Sequence, residues 1–600
     1  MATVPMTITP EMCIAGRELT EPRLDPDGRR VAFVSRGSDG AAIVVVDLAV
    51  DGHAGPERTL TTAPPPSPGR GRDGGCFTWT PDGAAVVYAA TDGGLWRQPA
   101  VGGPPSPLVV GSTERAGAAP AMTPDGTAVV YLVDQAEVWT ASLAGGEPRR
   151  LDDGGHDFCF DPVVGPSGTT VAYQAWRVPD MAWDGAEIVT VPLAGGWPTA
   201  WRPDDGAAQQ PRFSPDGTLV AVHDGSGWLN VWWGERPLVD EAFEHAEPSW
   251  GPGQASYAIA PDGSAVAFTR NERGFGRLGV VDVAGGEVRE VARGVHGALS
   301  WRGDRLAALR SGARTPTEVV VYDTSTWARR TIAVGPVLGW EHAVLPEPEL
   351  VELAHDGTVL HARRYRSGDG ADRLLVWLHG GPTSQWAVTF RPDLAYWMGQ
   401  GWDVLVPDHR GSTGHGRAYQ QALRRRWGEL DVIDTVAWLA HAVAEGWAPP
   451  ERTVLMGGSA GGFTLLGVLA AHPGGVAGAV AAYPVTDLAE LAAHSHRFEA
   501  HYTITLVGPL EQTERYAARS PLTYVDRIDA PLLLLHGTDD PVVPVEGTIE
   551  LASRLRSAGR DVELHLFDGE GHGFRQPANK LEELRVIGAF LHRVVESRGR

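Results

Sequence analysis

The sequence predicts two domains of different class, an all-β, seven-bladed β-propeller over residues 1–345 and a doubly wound, mostly parallel α/β sheet over residues 346–600. Three observations carry this expectation. A Pro-Asp-Gly turn followed by a short apolar strand recurs through the first half. Continuous apolar runs alternate with helix-length segments through the second half. The change of pattern falls near Pro346-Glu347-Pro348, a natural boundary in a chain of 600 residues, which is too long for one core.

The repeat turns begin at Pro26, Pro81, Pro124, Pro166 (as Pro-Ser-Gly), Pro215 and Pro261, with a degenerate seventh copy at Trp301-Arg302-Gly303-Asp304. Proline sets φ for the turn, aspartate bonds back to the local backbone, and glycine takes the left-handed position. Strands such as Val31-Ala32-Phe33, Val86-Val87-Tyr88, Val129-Val130-Tyr131 and Val266-Ala267-Phe268 follow the turns. A further strand follows in each copy, for example Ile43 to Val46 or Val319 to Tyr322. The copies are spaced 55, 43, 42, 49 and 46 residues apart, the length of a four-stranded blade. About 20 residues precede the first copy and are candidates to pack on the second domain. A propeller alone says little about function, because many are pure binding platforms.

After the boundary a hairpin is expected over Leu350 to Leu353 and Val359 to Tyr365. The runs Leu374 to Leu378, Val404 to Val406, Thr453 to Met456, Ala479 to Tyr483, Leu532 to Leu535 and Val562 to Phe567 read as parallel strands buried on both faces. Helical segments separate them, including Val432 to Val443, Phe463 to Leu469, Ile549 to Leu555 and Leu581 to Val595. Sheets of this kind bind ligands beyond the carboxyl ends of their strands.

Composition narrows the function. A formal charge of −23 disfavours nucleic-acid and anionic-membrane partners and suits cationic ligands, such as peptides with a free amino terminus. Cys13, Cys76 and Cys159 are scattered and lack metal-ligand spacing, so free thiols in a reducing cytoplasm are expected. Met1 to Glu11 shows no signal-peptide pattern, and no apolar stretch approaches a membrane span. Homo-oligomer formation is left open by the sequence.

Gly457-Gly458-Ser459-Ala460-Gly461 lies between a strand and a helical run, as in the nucleophile elbow of an α/β-hydrolase. In a chain with 75 glycines the pentapeptide alone is a weak signal, and its context decides. Acyl transfer needs an activated nucleophile, a proton carrier and donors for the carbonyl oxygen. Ser459 is the candidate nucleophile. Asp539 or Asp540, just past the strand ending at Leu535, could orient an imidazole, and position alone does not choose between them. His572, in the glycine-rich loop after Phe567, is the candidate proton carrier. The order Ser, Asp, His, each after a strand, is that of the hydrolase topology. Oxyanion donors are expected from the N–H of Ala460 and from the loop His379-Gly380-Gly381-Pro382.

With these motifs, the two halves resemble the prolyl oligopeptidase family of serine peptidases across almost the whole chain. The most specific pieces are His379 to Pro382, Arg410-Gly411-Ser412-Thr413-Gly414, Gly457 to Gly462, His536 to Pro544 and Gly571-His572-Gly573. The loop His379 to Thr383 and the stretch Arg497-Phe498-Glu499-Ala500-His501-Tyr502 are most similar to the acylaminoacyl-peptidase and bacterial aminopeptidase branch. The resemblance implies Asp540 as the acid and the N–H of Gly381 as second oxyanion donor. It implies a propeller that admits only short peptides, and Val485, Leu488, Leu491 and Phe498 as lining for an apolar P1 pocket. By the same match Glu499 would hold a substrate amino terminus, an ion pair with Arg497 being the alternative.

The expected activity is therefore hydrolysis of short peptides or aminoacyl amides from the amino terminus, with no metal or organic cofactor. Removal of N-blocked residues, or hydrolysis of a non-peptide amide or ester such as an antibiotic, would use the same residues. A propeller binding protein with an inactive hydrolase is the non-enzymatic alternative.

Overall fold

A computed structural model describes residues 7–596 except 39, 50–52, 62, 69–73, 203–204, 336–338, 341–342, 344 and 369–371. The chain divides into two compact units. One comprises residues 16–337 and 387–390, the other residues 1–15, 338–386 and 391–600. Residues 339, 340, 343 and 345, expected with the propeller, group with the α/β unit, as does the short helix Pro10–Ile14.

The first unit is a seven-bladed β-propeller. Seven antiparallel sheets of four strands follow one another along the chain, from Glu18–Leu24 in the first to Arg329–Val334 in the seventh. Each recurrent turn joins the first strand of a blade to its second, for instance Leu24 to Arg30 around Pro26-Asp27-Gly28. The second and third strands carry the apolar residues legible in the sequence. Those residues pack against the neighbouring blade: Phe33 and Val46 of the first blade share a core with Leu309 and Val319 of the seventh. That shared core closes the ring, since every blade is built from one contiguous stretch of chain. Arg305 of the seventh blade adds a polar clasp, donating to the carbonyls of Gly28 (3.0 Å) and Ala49 (2.6 Å) of the first.

First strands were not legible because five of them are interrupted. Glu21, Ala119, Asp161, Gln210 and Ala298 adopt φ between 47° and 56°, each at a register shift against the second strand. Such bulges break the two-residue alternation on which strand prediction depends. One of them turns the carboxylate of Glu21 onto the N–H groups of Gly75 (3.0 Å) and Cys76 (2.9 Å) in the next blade.

The second unit holds an eight-stranded sheet. Its strands, numbered within this sheet, are β1 Glu349–His355, β2 Thr358–Tyr365, β3 Leu374–Leu378, β4 Asp403–Asp408, β5 Thr453–Gly458, β6 Gly478–Ala482, β7 Leu532–Gly537 and β8 Val562–Phe567. Their spatial order is β1-β2-β4-β3-β5-β6-β7-β8. Pairing is antiparallel from β1 to β4 and parallel beyond. Helices Leu430–Ala444, Ala460–Ala471 and Val545–Ser557 bury Trp438, Leu465 and Leu551 against Val376, Leu405, Leu455 and Leu534. Removing these side chains from water drives the layering. β8 departs from the expectation of burial on both faces. It is the edge strand, and Leu566 is exposed. Helices Pro392–Gly399, Leu488–His494, Tyr502–Val507 and Thr513–Arg519 were not anticipated, being short and weakly periodic.

Candidate active site

The turn from β5 into helix Ala460–Ala471 is as tight as the motif implies. Ser459 has φ 55° and ψ −123°, strained for a residue with a side chain. Its N–H donates to the carbonyl of Ala482 in β6 at 3.0 Å, which fixes the strained peptide. The flanking glycines are required by contact. A methyl group on Gly457 would lie 2.6 Å from the Gly461 carbonyl, and one on Gly461 would lie 2.5 Å from that of Leu378. The Ala460 N–H is the first of the helix and has no carbonyl one turn earlier to bond. The positive end of the helix dipole therefore lies at Ser459.

β7 and β8 deliver the other two candidates. The His572 Nδ1 donates to Asp540 Oδ2 at 2.7 Å. The other oxygen of Asp540 accepts the N–H groups of Val542 (2.8 Å) and Val543 (2.9 Å), so the carboxylate cannot rotate freely. Burial opposes ionisation of Asp540. Hydrogen bonds from His536 and His572, the His572 charge and the Val543 N–H outweigh it, and the carboxyl lies well below the usual range. Asp539, one residue earlier, is exposed and takes only the Thr538 hydroxyl at 3.2 Å. Of the two carboxylates that position left open, Asp540 is the one beside the imidazole.

Glu570 carries no role in the motifs read from the sequence. Its buried carboxylate accepts the N–H groups of Arg575 and Gln576, both at 2.8 Å, and the Asn579 amide at 2.9 Å. It thereby ties the loop carrying His572 to the start of helix Pro577–Glu596. An acidic residue shortly before a helix start was the available signal.

The loop after β3 is oriented by its own histidine. His379 Nδ1 lies 2.7 Å from the Gly380 carbonyl, and Nε2 lies 2.7 Å from the Ser412 hydroxyl. Burial, then the neighbouring His409 charge, lowers the His379 pKa to about 4, so the ring is neutral. A carbonyl can only accept, so Nδ1 carries the proton and Nε2 accepts from Ser412. Because carbonyl and N–H point oppositely in a trans peptide, the Gly381 N–H is turned away from the ring. It bonds no acceptor among the described residues. Gly380 itself runs beside the elbow, where an added methyl group would lie 3.6 Å from Ser459 Cβ. The segment Arg410 to Gly414 braces this loop from behind, with the Thr413 N–H donating to the Ser384 carbonyl at 3.0 Å.

Tyr502 provides a second brace. Its hydroxyl donates to Thr383 Oγ1 at 2.6 Å and accepts the Thr383 N–H at 3.1 Å. Loss of a buried bridging hydroxyl costs about 1–3 kcal/mol. Tyr502→Phe is expected to lower kcat roughly tenfold with little change in KM, because a loosened loop loses transition-state rather than ground-state contacts. Steady-state kinetics on a chromogenic anilide reads both parameters.

Ser459, His572, Gly381, Tyr483 and Phe574 line one open cavity of about 540 Å³. Tyr483 packs on the imidazole, with ring centres 4.6 Å apart. None of the five residues expected to bind substrate belongs to this lining. Val485 and Leu488 are buried where Asp487 caps helix Leu488–His494 and the Leu488 N–H bonds Ser520. Leu491 lies on the same short helix, and Phe498 is buried in the segment beyond it. The Glu499 carboxylate pairs with His496 at 3.2 Å. The resemblance implied these residues as pocket lining and amine contact; here they cap, pack or pair locally, outside the lining of the cavity that holds Ser459.

Among the described residues no group of three or more His, Cys, Asp or Glu is arranged to hold a metal ion, and no helix is long and apolar enough to cross a membrane. Cys76 and Cys159 are buried free thiols and Cys13 is half-buried.

A sequence profile described as the prolyl oligopeptidase family matches residues 388–598. The acylamino-acid-releasing enzyme of Arabidopsis thaliana is 28% identical over 232 residues, 37% of this chain and 30% of that protein. Dipeptidyl aminopeptidase BIII of Pseudoxanthomonas mexicana is 30% identical over 227 residues, 36% of this chain and 32% of that protein. The matched part thus spans about a third of the length of these curated relatives. A Mycobacterium tuberculosis puromycin-hydrolyzing peptidase of solved structure superposes over 99% of this chain and 98% of its own, with a TM-score of 0.89 and 28% identity. With a strained serine elbow and an Asp–His pair lying within the matched residues, residues 388–598 belong to the prolyl oligopeptidase family, and the whole chain has the fold of the puromycin-hydrolyzing peptidase.

Proposed function

We propose that the protein is a serine peptidase that hydrolyses short peptides or aminoacyl amides from the amino terminus through an acyl-enzyme. The observation that carries this reading is the 2.7 Å bond from His572 Nδ1 to Asp540, in a ring that lines the same cavity as Ser459. Ser459 Oγ attacks the carbonyl carbon while His572 Nε2 takes its proton. The N–H groups of Ala460 and Gly381 receive the negative charge on the carbonyl oxygen. His572 then protonates the leaving amine, which departs as the acyl-enzyme forms. Water, deprotonated by the same nitrogen, releases the acid product and restores the Ser459 hydroxyl. The names of the relatives, an acylamino-acid-releasing enzyme, a dipeptidyl aminopeptidase and a puromycin-hydrolyzing peptidase, support this class of reaction.

A fluorophosphonate probe is expected to label the native protein on Ser459, read by peptide mass, and the protein is expected to cleave leucyl-p-nitroanilide. Failure of the native protein to label would overturn the reading. The likeness to acylamino-acid-releasing enzymes favours a second reading, release of N-blocked residues. A preference of more than about tenfold for N-acetyl-leucyl-p-nitroanilide over the free form would select it.

A further inference from the structure

The cavity that holds Ser459 is also lined by Arg391, Asp393 and Glu583, together with Trp377, Trp386 and Trp397. Arg391 is fully engaged. Its guanidinium bonds Asp393 at 2.9 Å and lies over the rings of Trp386 (3.6 Å) and Trp377 (5.3 Å). Asp393 takes that cation and the Leu394 N–H at 2.9 Å. Glu583 makes no hydrogen bond or ion pair with any described residue. It projects from helix Pro577–Glu596, whose residues Leu584 and Ile587 supply apolar lining.

A largely buried carboxylate on the wall of a cavity, with no counter-charge bonded to it, is costly to ionise. None of the described cations is bonded to it. A ligand that brought its own cation would remove the cost, and the neighbouring indole faces would add attraction. We propose that Glu583 receives the ammonium group of the substrate and selects substrates that carry a primary amine within this cavity. Glu583 would thus take the role that the resemblance implied for Glu499, 84 positions earlier. The proposal rests on the serine-peptidase reading and adds the substrate class.

Electrostatics agree with the geometry. Burial, then the like charge of Asp393, pushes the Glu583 carboxyl up to about 7, with Glu570 adding to the rise and Lys580 opposing it. Arg391, Tyr483 and His572 also line the cavity. Below that value the carboxyl is neutral, and above it the anion is ready to accept from an ammonium. Two amines share this chemistry, the α-amino group of the residue whose carbonyl Ser459 attacks and the ε-amino group of a lysine side chain.

The test compares wild type and Glu583→Gln on leucyl-, N-acetyl-leucyl- and N-acetyl-lysyl-p-nitroanilide. The expected result is a fall of about 10–100-fold in kcat/KM for one cationic substrate relative to the neutral N-acetyl-leucyl form, carried by KM. Loss confined to the leucyl substrate identifies the α-amine, and loss confined to the lysyl substrate identifies the side chain. Unchanged ratios in both arms overturn the proposal, as does an equal loss on all three substrates. A measurement on wild type alone covers a variant that fails to fold. There, KM relative to the neutral substrate should fall as pH rises through about 7 for the N-acetyl-lysyl form, whose ammonium stays charged. For the leucyl form, whose α-ammonium is lost at about pH 8, it should pass through a minimum. A pH-independent ratio overturns the proposal. Fluorophosphonate labelling of the wild type keeps the two readings apart: labelling with unaltered ratios sinks only the Glu583 assignment.

Discussion

Ser459→Ala is expected to abolish hydrolysis while leaving the fold intact, with kcat lower by on the order of 10⁶. The size follows from the absence of a substitute nucleophile. Ser459 is the hydroxyl presented by the elbow beside Gly380 and lines the cavity with His572. Alanine keeps the Cβ that the turn already accommodates, so φ 55° is no worse tolerated than before. Residual rate would come from oxyanion donors and substrate positioning alone. Thermal unfolding together with anilide hydrolysis checks both halves of the expectation. A folded variant that retains most of its activity would refute Ser459 as nucleophile.

The second large effect is expected at Asp540. Asp540→Asn should lower kcat by roughly 10⁴, whereas Asp539→Asn should change it only a few-fold. The argument lies in which atom the amide must present. The N–H groups of Val542 and Val543 require an acceptor, so the amide oxygen takes them. The NH₂ group then faces His572 Nδ1 and forces that nitrogen to accept. The ring proton moves to Nε2, which can no longer take the proton of Ser459. Equal effects at 539 and 540 would contradict this geometry. A stability signature accompanies it. A carboxyl held below its usual range stabilises the folded state above that range, and the contribution is lost as pH falls towards the lowered value. Asp540→Asn should therefore flatten the acid limb of the unfolding curve, as read by midpoint against pH.

Much of the architecture is local physics and was legible on that account. The Pro-Asp-Gly turns depend on three consecutive residues, and the strands after them on short runs of branched and aromatic side chains. The ends of β3 could be read to the residue, because a buried strand leaves an uninterrupted apolar run. What could not be read were strands whose alternation is broken. The bulges at Glu21, Asp161 and Gln210 put polar side chains inside the propeller, where pattern reading expects apolar ones. The Glu21 carboxylate is satisfied by main-chain groups more than fifty residues away, which no local window contains.

The sequence by itself determined which chemical groups this protein can bring to bear: a serine in a glycine turn, an acid and a histidine after later strands, and a glycine loop after β3. These follow from residue type and from the order of elements along the chain. Only the tertiary structure puts Asp540, and not Asp539, within hydrogen-bond reach of His572. It alone aimed the Gly381 N–H through a bond from His379 to the neighbouring carbonyl. It also paired Glu499 with His496 and put Glu583, from a helix far along the chain, on the wall of the cavity that holds Ser459. The reason is the same in each case. Direction, pairing and burial belong to contacts between distant segments, and one side chain's partner is set by whichever neighbour the folded layers bring within hydrogen-bond reach.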